Sequence, residues 1–274
     1  MEDGLVINTA GQPAWEGLFS DKPFEFRFGA RKGDAQAFFE ATADYDSLVA
    51  HRREIFAAHP ERHVFQDPVA KAAVEELAAW AGMTSGGCHE LGLHWQQDFV
   101  VLLADGQGKE VFQAGVVCFP SSWRPEEKVG LPVYEIHSPV PTLNERLGEQ
   151  IDKFLAGINP GAAWERVNWG LSRSPELNQH PDCEIPRLKP PFDLDQVWVR
   201  REDQVLFRLP ETGALIFGIN VFNISVAEIA SDEEGRAGLR YAIETMPEEI
   251  AKYKNLQESR EHLLALLGTE SVNR

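Results

Sequence analysis

Hydrophobic residues recur at every third or fourth position through the first ninety residues, a pattern typical of amphipathic helices. One helix is predicted at 46–58, where Pro60 prevents its continuation. A second helix is predicted at 67–82, with Asp67 as its N-cap. Residues 1–90 are therefore predicted to form an N-terminal helical extension. The second helix is predicted to carry Val69, Ala73, Leu77 and Trp80 on one face.

After residue 90 the hydrophobic positions alternate with a period of two, which is typical of β-strands. The segments 93–105 and 109–119 flank a polar, glycine-containing turn and predict a β-hairpin. The segment IHSPVP at 136–141 contains two prolines, which are predicted to hold the chain extended. A helix follows at 142–158. Its capping box is predicted to be Thr142 and Glu145, and its buried stripe Leu143, Leu147, Ile151, Phe154, Leu155 and Ile158.

Three further strands are predicted at 164–172, 197–209 and 214–225, and helices follow to the C-terminus. Two strands, a helical connection and three strands suit one five-stranded antiparallel sheet with a helix on one face. We therefore expect an α+β core at 91–225 and C-terminal helices at 226–274, forming one compact unit with the N-terminal extension. Such a core leaves room for a ligand between sheet and helix.

The charged residues of the chain disfavour some classes of binding partner. The chain has 26 Lys plus Arg against 43 Asp plus Glu, and its net charge of -17 disfavours binding to nucleic acids and anionic lipids. Its apolar runs are far shorter than the roughly 20 residues that cross a bilayer, and its acidic start does not resemble a signal peptide. We expect a cytoplasmic protein. Cys88, Cys118 and Cys183 form no CxxC pair, which excludes a disulfide framework and a four-thiolate metal site.

His137 is a candidate iron ligand. It lies between an apolar approach at 133–136 and a proline-stiffened exit at 138–141, so its backbone should be fixed. A rigid neutral imidazole beside an apolar cavity is what a haem proximal ligand requires. The alternative, favoured by the residues alone, is a hydrogen-bonded, half-buried loop histidine.

Two predicted strands carry polar residues among apolar ones. Alternation places Arg166 and Asn168 on one face of the strand 164–172, where they could anchor a carboxylate or a loop. In the strand 214–225 the residues Gly218, Asn220 and Phe222 share a face with Ile216 and Ile224. The glycine would let a flat ligand approach the backbone. The alternative for that strand is an ordinary central strand with one buried, bonded amide.

Four motifs resemble the haem-dependent oxidative N-demethylase alpha-subunit family, and the resemblance extends from about residue 24 to 267. The longest motif is PSSWRPEEKVGLPVYEIHSPVP, which ends at Pro141. The others are RVNW at 166–169, RLPETGALIFGI at 208–219 and YKNL at 253–256.

The resemblance implies a haem-binding PAS domain with haem b between sheet and helix. It also implies oxygen binding and oxidation of a small methylated amine to the demethylated amine and formaldehyde. It makes His137 the expected proximal ligand. Electrons are expected from an external NAD(P)H, flavin and iron–sulfur reductase, and tetrahydrofolate collects the one-carbon product in the family. Further cofactor contacts are expected from Trp123, Arg124, Lys128, Arg166 and Asn168.

The chain departs from the family pattern at positions expected to form the distal pocket. Gln97, Asp203, Val205, Asn220, Val221 and Phe222 stand where the family has Glu, Arg, Thr, Arg, Thr and Tyr. On this reading Gly218, Asn220 and Phe222 shape the oxygen and substrate pocket, but Phe222 cannot donate a hydrogen bond. The substrate is therefore not fixed by the resemblance.

Two alternatives remain open. A haem PAS domain could serve as a gas or redox sensor without turnover, because fold alone does not determine chemistry. Cys118 could supply a thiolate ligand in place of imidazole. If the protein is an amine oxidase, its negative charge would favour cationic ammonium substrates and a basic patch on the reductase.

Overall fold

The computed structural model describes residues 13–25, 29–141 and 143–268, with backbone only for 143–147. A seven-stranded antiparallel sheet forms the centre of this part of the protein. The strand order is β1-β5-β6-β7-β3-β4-β2. The strands are β1 (Arg31–Gly33), β2 (Val64–Gln66), β3 (Asp98–Ala104), β4 (Glu110–Val116), β5 (Ala163–Ser172), β6 (Trp198–Arg208) and β7 (Leu215–Ser225).

Helices precede the sheet, connect its halves and follow it. They are α1 (Ala35–Phe38), α2 (Tyr45–Ala58), α3 (Lys71–Trp80), α4 (Cys88–His94), α5 (Val133–Ile136), α6 (Leu143–Ala156), α7 (Val226–Ser231), α8 (Glu233–Thr245), α9 (Glu248–Tyr253) and α10 (Arg260–Gly268). None of these described helices has the length and apolar character needed to cross a bilayer.

The α+β class and the five strands predicted after residue 90 are confirmed, but the sheet itself is larger than predicted. The short strands β1 and β2 come from the N-terminal region and pair with β5 and β4. The residues just after Leu91 are helical, and β3 begins only at Asp98. The Glu90 carboxylate accepts the Gly87 N–H at 2.8 Å and thereby caps α4. The division at 1–90, 91–225 and 226–274 stays a prediction.

The helices predicted at 46–58 and 67–82 are present as α2 and as a 3-10 turn leading into α3. The Asp67 carboxylate accepts the Val69 N–H at 2.9 Å, as expected of an N-cap. Val69 itself is 62% exposed, so it does not share the face of Ala73 and Leu77 as predicted. It lies in the 3-10 turn, where three residues complete a turn, and is therefore out of phase with the buried Ala73 and Leu77.

The segment around His137 is compact rather than extended as its prolines suggested. The short helix α5 ends at His137, whose N–H donates to Val133 O at 3.0 Å, and Val140 N–H donates back to His137 O at 2.9 Å. Prolines restrict their own φ but do not prevent such turns. In α6 the predicted Ile151, Leu155 and Ile158 are buried. The predicted capping box and the side chains of Leu143 and Leu147 lie outside the described residues.

Side-chain alternation gives the sheet two faces with different coverings. The front face carries the cross-strand row Trp164, Leu206, Phe217 and Val100, which packs against Ile151 and Leu155 of α6. The back face carries the row Val205, Gly218 and Phe99, which packs against Phe39 and Trp95 from the N-terminal region. The C-terminal helices also cover the back face, against Trp169, Val199 and Ile224. A ligand between sheet and helical connection would therefore lie on the front.

A buried ion pair fixes the beginning of β3. Arg52 of α2 is fully buried and donates from Nη1 to Asp98 Oδ1 at 2.7 Å. The same carboxylate accepts the backbone N–H groups of Cys118 at 2.8 Å and Phe119 at 2.9 Å. The pair thus joins a helix, a strand and the chain leaving β4.

Replacing Arg52 should be costly because Asp98 would be left charged and unpaired in the core. We expect Arg52→Met to lower the free energy of unfolding by about 3–5 kcal/mol, measured by urea denaturation. The control is Arg53→Met, since Arg53 is the exposed neighbour, and its effect should stay within about 0.5 kcal/mol. Equal effects of the two substitutions would contradict this account.

Candidate functional site

Four polar side chains form a square on the front face. Arg166 of β5 lies opposite Gln204 of β6, and Asn168 lies opposite Glu202. Asn168 Nδ2 and Gln204 Nε2 donate to Glu202 Oε2 at 3.2 and 2.9 Å, while Ser121 Oγ donates to Glu202 Oε1 at 2.5 Å. The carboxylate therefore accepts three hydrogen bonds from neutral donors, which stabilise its charge without neutralising it.

Arg200 fastens two loops over one end of this square. Its guanidinium donates to Ser121 Oγ at 2.7 Å, to Phe119 O at 2.7 Å and to Leu177 O at 2.8 Å. Burial lowers the pKa of Arg200 to about 10, so the group remains charged at neutral pH. These acceptors are uncharged hydroxyl and carbonyl oxygens, so the hydrogen bonds of Arg200 do not neutralise its positive charge.

His137 lies on the helix side of the same face. Its Nδ1 is buried and has no hydrogen-bond partner among the described residues. Burial and the nearby charge of Arg166 lower the pKa of His137 to about 4, so the imidazole is neutral at pH 7. Together with residues of α5 and α6, His137 lines a shallow crevice that is open to solvent, whose other lining residues are Val133, Tyr134, Gly148, Ile151 and Asp152.

The structure brings together some of the residues predicted to bind a cofactor and separates others. Arg166 and Asn168 share the front face, and Trp123 packs against the hydrophobic cluster there. Arg124 instead binds Asp182 Oδ1 at 2.5 Å at the surface. Lys128 caps the 3-10 turn before α5, its N–H donating to Pro125 O at 2.9 Å. Neither Arg124 nor Lys128 lines the crevice at His137 among the described residues.

Gly218, Asn220 and Phe222, predicted to shape the oxygen and substrate pocket, project from the back face, away from His137. A Cβ atom on Gly218 would lie 2.7 Å from Phe39 Cζ and 2.8 Å from Val205 Cγ1. Phe222 lies beneath the Arg201 guanidinium, 5.3 Å from it. The alternation of side chains along the strand correctly predicted that the three residues share a face. That face is the back of the sheet, whereas the helical connection with α6 covers the front.

Sequence reasoning missed the polar residues of β6 and the lysine near the edge of β5. Arg200, Glu202 and Gln204 alternate along β6 and thus share the front face, a signal visible in the sequence. Lys254 donates from Nζ to the backbone oxygen of Trp169 at 2.7 Å. No local pattern links Lys254 and Trp169, because 85 residues separate them along the chain.

Comparison with protein families gives one finding. The family model described as haem-dependent oxidative N-demethylase, alpha subunit-like, matches residues 88–264. The chain belongs to this family. The match includes the strands β3 to β7 and His137, whereas residues 24–87 and 265–267 of the predicted resemblance fall outside it.

Membership in the haem-dependent N-demethylase alpha-subunit-like family indicates a haem-dependent oxidoreductase that resembles an oxidative N-demethylase. The family description gives no support to the gas-sensor alternative. The thiolate alternative is disfavoured because Cys118 is fully buried and burial strongly raises the pKa of its thiol.

The side chains around His137 fit the chemical requirements of haem. A neutral imidazole with an unpartnered nitrogen suits iron, apolar residues suit the porphyrin, and the half-buried Arg166 suits a carboxylate. The space is less favourable, because the crevice at His137 is shallow and encloses almost no volume. A haem could enter there only if residues of α5 or α6 shifted.

Gly218 should be required for packing rather than for ligand approach. We expect Gly218→Ala to lower the free energy of unfolding by about 1–3 kcal/mol, because the new methyl group meets Phe39 and Val205. Gly170→Ala is the matched control on β5, where a Cβ has no neighbour within 4 Å. The free energy of unfolding of both variants is measured by denaturant titration. A Gly218→Ala protein as stable as the wild type would refute the packing role.

Proposed function

We propose that this protein binds haem b through His137 and oxidises a small methylated amine. The observation that carries the proposal is the neutral, half-buried imidazole at the end of α5, whose buried Nδ1 has no hydrogen-bond partner among the described residues. Histidine in this state can ligate iron without first losing a proton. Family membership supports the same cofactor.

The fold is consistent with a PAS-type core. Strands β3 to β7 are neighbours in the order β4-β3-β7-β6-β5, and the connection from β4 to β5 crosses one face with α5 and α6. His137 lies in this connection, and the charge of Arg166 on β5 contributes to the low pKa of its imidazole. We place the haem between the connection and the sheet and leave the back-face residues Gly218, Asn220 and Phe222 out of the pocket.

The proposed reaction balances with one oxygen molecule and two electrons. A methylated amine, O2, two electrons and two protons give the demethylated amine, formaldehyde and water. Haem supplies the oxygen-activating redox chemistry when it is bound. The electrons come from a separate NAD(P)H-dependent reductase with flavin and iron–sulfur centres, because the three free cysteines are widely spaced and Cys88 and Cys118 are buried.

The side chains of the front face orient the ligands. Gln204 must turn its amide N–H2 towards the Glu202 carboxylate, so its Oε1 points away. That oxygen is buried and has no hydrogen-bond partner among the described residues, and Gln204 is only 6% exposed. We assign Gln204 Oε1 as the acceptor for an N–H of the amine. The apolar row beginning at Trp164 excludes water from the pocket.

A cavity variant tests His137 as iron ligand. We expect His137→Gly to lower haem affinity by roughly a hundredfold, measured by Soret titration, and added imidazole to restore the wild-type spectrum. His59→Gly is the control, because His59 is half exposed and far from the crevice in sequence. A wild-type protein without a Soret band after haem is supplied would overturn the proposed function. An unchanged His137→Gly spectrum would overturn the ligand assignment.

Turnover separates an enzyme from a protein that only binds oxygen. With haem, a reductant and a methylated amine, we expect oxygen consumption and formaldehyde in equal amounts. Gln204→Leu should raise KM by about tenfold or more with little loss of haem, since it removes one acceptor. Asn178→Leu serves as a control for loss of a side-chain amide outside the square. Stable oxygen binding that is indifferent to every amine would contradict the catalytic proposal.

A further inference from the structure

The front face of the sheet is more exposed on β5 than on β6. Arg200 and Gln204 of β6 are 3% and 6% exposed, whereas Asn168 and Gly170 of β5 are half-buried. The strand β1 pairs with residues 163–165, and among the described residues no other strand pairs with the outer edge of β5. Solvent therefore reaches the front face from the β5 side.

Gly170 lies where this side of the face is open. It shares the front face with Asn168 and Ser172, and it lies opposite Arg200 of β6. A Cβ atom built on Gly170 would have no neighbour within 4 Å among the described residues, the long side chain of Arg200 included. Hydrogen bonds hold the Arg200 guanidinium at the two loops instead.

Neither the backbone nor the packing at this position requires a glycine. The φ of Gly170 is not in the left-handed region, so any residue could adopt its conformation. On the back face the case is different, because a Cβ atom on Gly218 would lie 2.7 Å from Phe39 Cζ. A glycine in the interior of a strand weakens the strand and often marks a place where a ligand approaches closely. What the glycine provides at position 170 is free space on the front face.

This space adjoins the polar square. Residues on one face of a strand follow each other at about 7 Å, so Asn168 is one such step from Gly170. Asn168 Nδ2 donates to Glu202 Oε2 at 3.2 Å, and Gln204 Nε2 donates to the same oxygen at 2.9 Å. A small molecule that enters over Gly170 thus meets Asn168 first and then Glu202 and Gln204, whose Oε1 is the acceptor in the proposed function.

We propose that Gly170 keeps open the entrance through which a small methylated amine reaches the polar square. The identity of the ligand rests on the proposed function, whereas the entrance is a property of the fold. Gly170 is then a specificity-determining residue, because any side chain at this position would project from the front face into the entrance.

Thiol labelling tests whether the entrance is open, and it needs no haem. The exposed Cys183 is first replaced by serine, which leaves two buried cysteines. We expect a small methanethiosulfonate to modify the folded Gly170→Cys protein. Ser172→Cys is the matched control on the same face, and it should react only after unfolding, because Ser172 is 6% exposed. A folded Gly170→Cys protein that resists the reagent would overturn the proposal.

A second labelling experiment tests whether the entrance leads to the square. The probe is Asn168→Cys in the same background, with circular dichroism to verify folding. Adding Gly170→Leu should slow modification of the probe by roughly tenfold or more, because the reagent must then wait for a local opening. Gly106→Leu is the matched control, since a Cβ on Gly106 in the β3–β4 turn also has no neighbour within 4 Å. Equal rates in the two leucine variants would refute the entrance.

Turnover tests the ligand that passes. With haem, a reductant and dimethylamine, kcat/KM should fall as the side chain grows from Gly170→Ala to Gly170→Val and Gly170→Leu. We expect a loss of roughly tenfold or more for leucine, with haem affinity by Soret titration unchanged. Gly106→Leu should match the wild type. A kcat/KM that is independent of side-chain volume at position 170 would contradict the role of Gly170 in specificity.

Failure of the proposed function is separate from failure of the entrance. A wild-type protein that binds no haem or oxidises no amine overturns the proposed function. The labelling rates at positions 168 and 170 still decide the entrance, because the reagent reaches these positions without haem or amine.

Discussion

The buried carboxylate of Asp98 determines the course of the chain over the sheet. It pairs with Arg52 and accepts the N–H groups of Cys118 and Phe119, so it joins the first residue of β3 to the chain leaving β4. A buried carboxylate is stable only with such partners. Because the chain is fixed at Phe119, the following residues must cross the front face, and they carry Ser121 and His137 to the site.

The polar side chains of β6 hold the same chain in place beyond Phe119. Arg200 binds the oxygens of Phe119 and Leu177, and so ties both loops to β6. Through Ser121 the same arginine is linked to Glu202. An apolar set of similar volume could give equal stability. The polar set instead gives charge and hydrogen-bond direction to a surface that is otherwise apolar, which is what recognition of a polar ligand needs.

Local patterns predicted the longer elements and missed those set by tertiary contacts. The helices α2 and α3 and the strands β3 to β7 follow from caps and periodicity within single segments, whereas β1 has three residues and exists by pairing with β5. Alternation grouped Gly218 with Phe222 correctly but could not tell which face α6 covers. Likewise, Lys254 reaches the β5 edge only because the C-terminal helices pack there.

The charge that a ligand meets depends on its distance from the protein. The net charge of -17 favours the approach of ammonium groups, but at physiological salt such a field is screened beyond about 8 Å. At contact distance individual hydrogen-bonding groups decide instead, and the Glu202 carboxylate already accepts bonds from Ser121, Asn168 and Gln204. The buried Gln204 Oε1 lacks a partner among the described residues, so it is the acceptor that remains for an N–H group of a ligand.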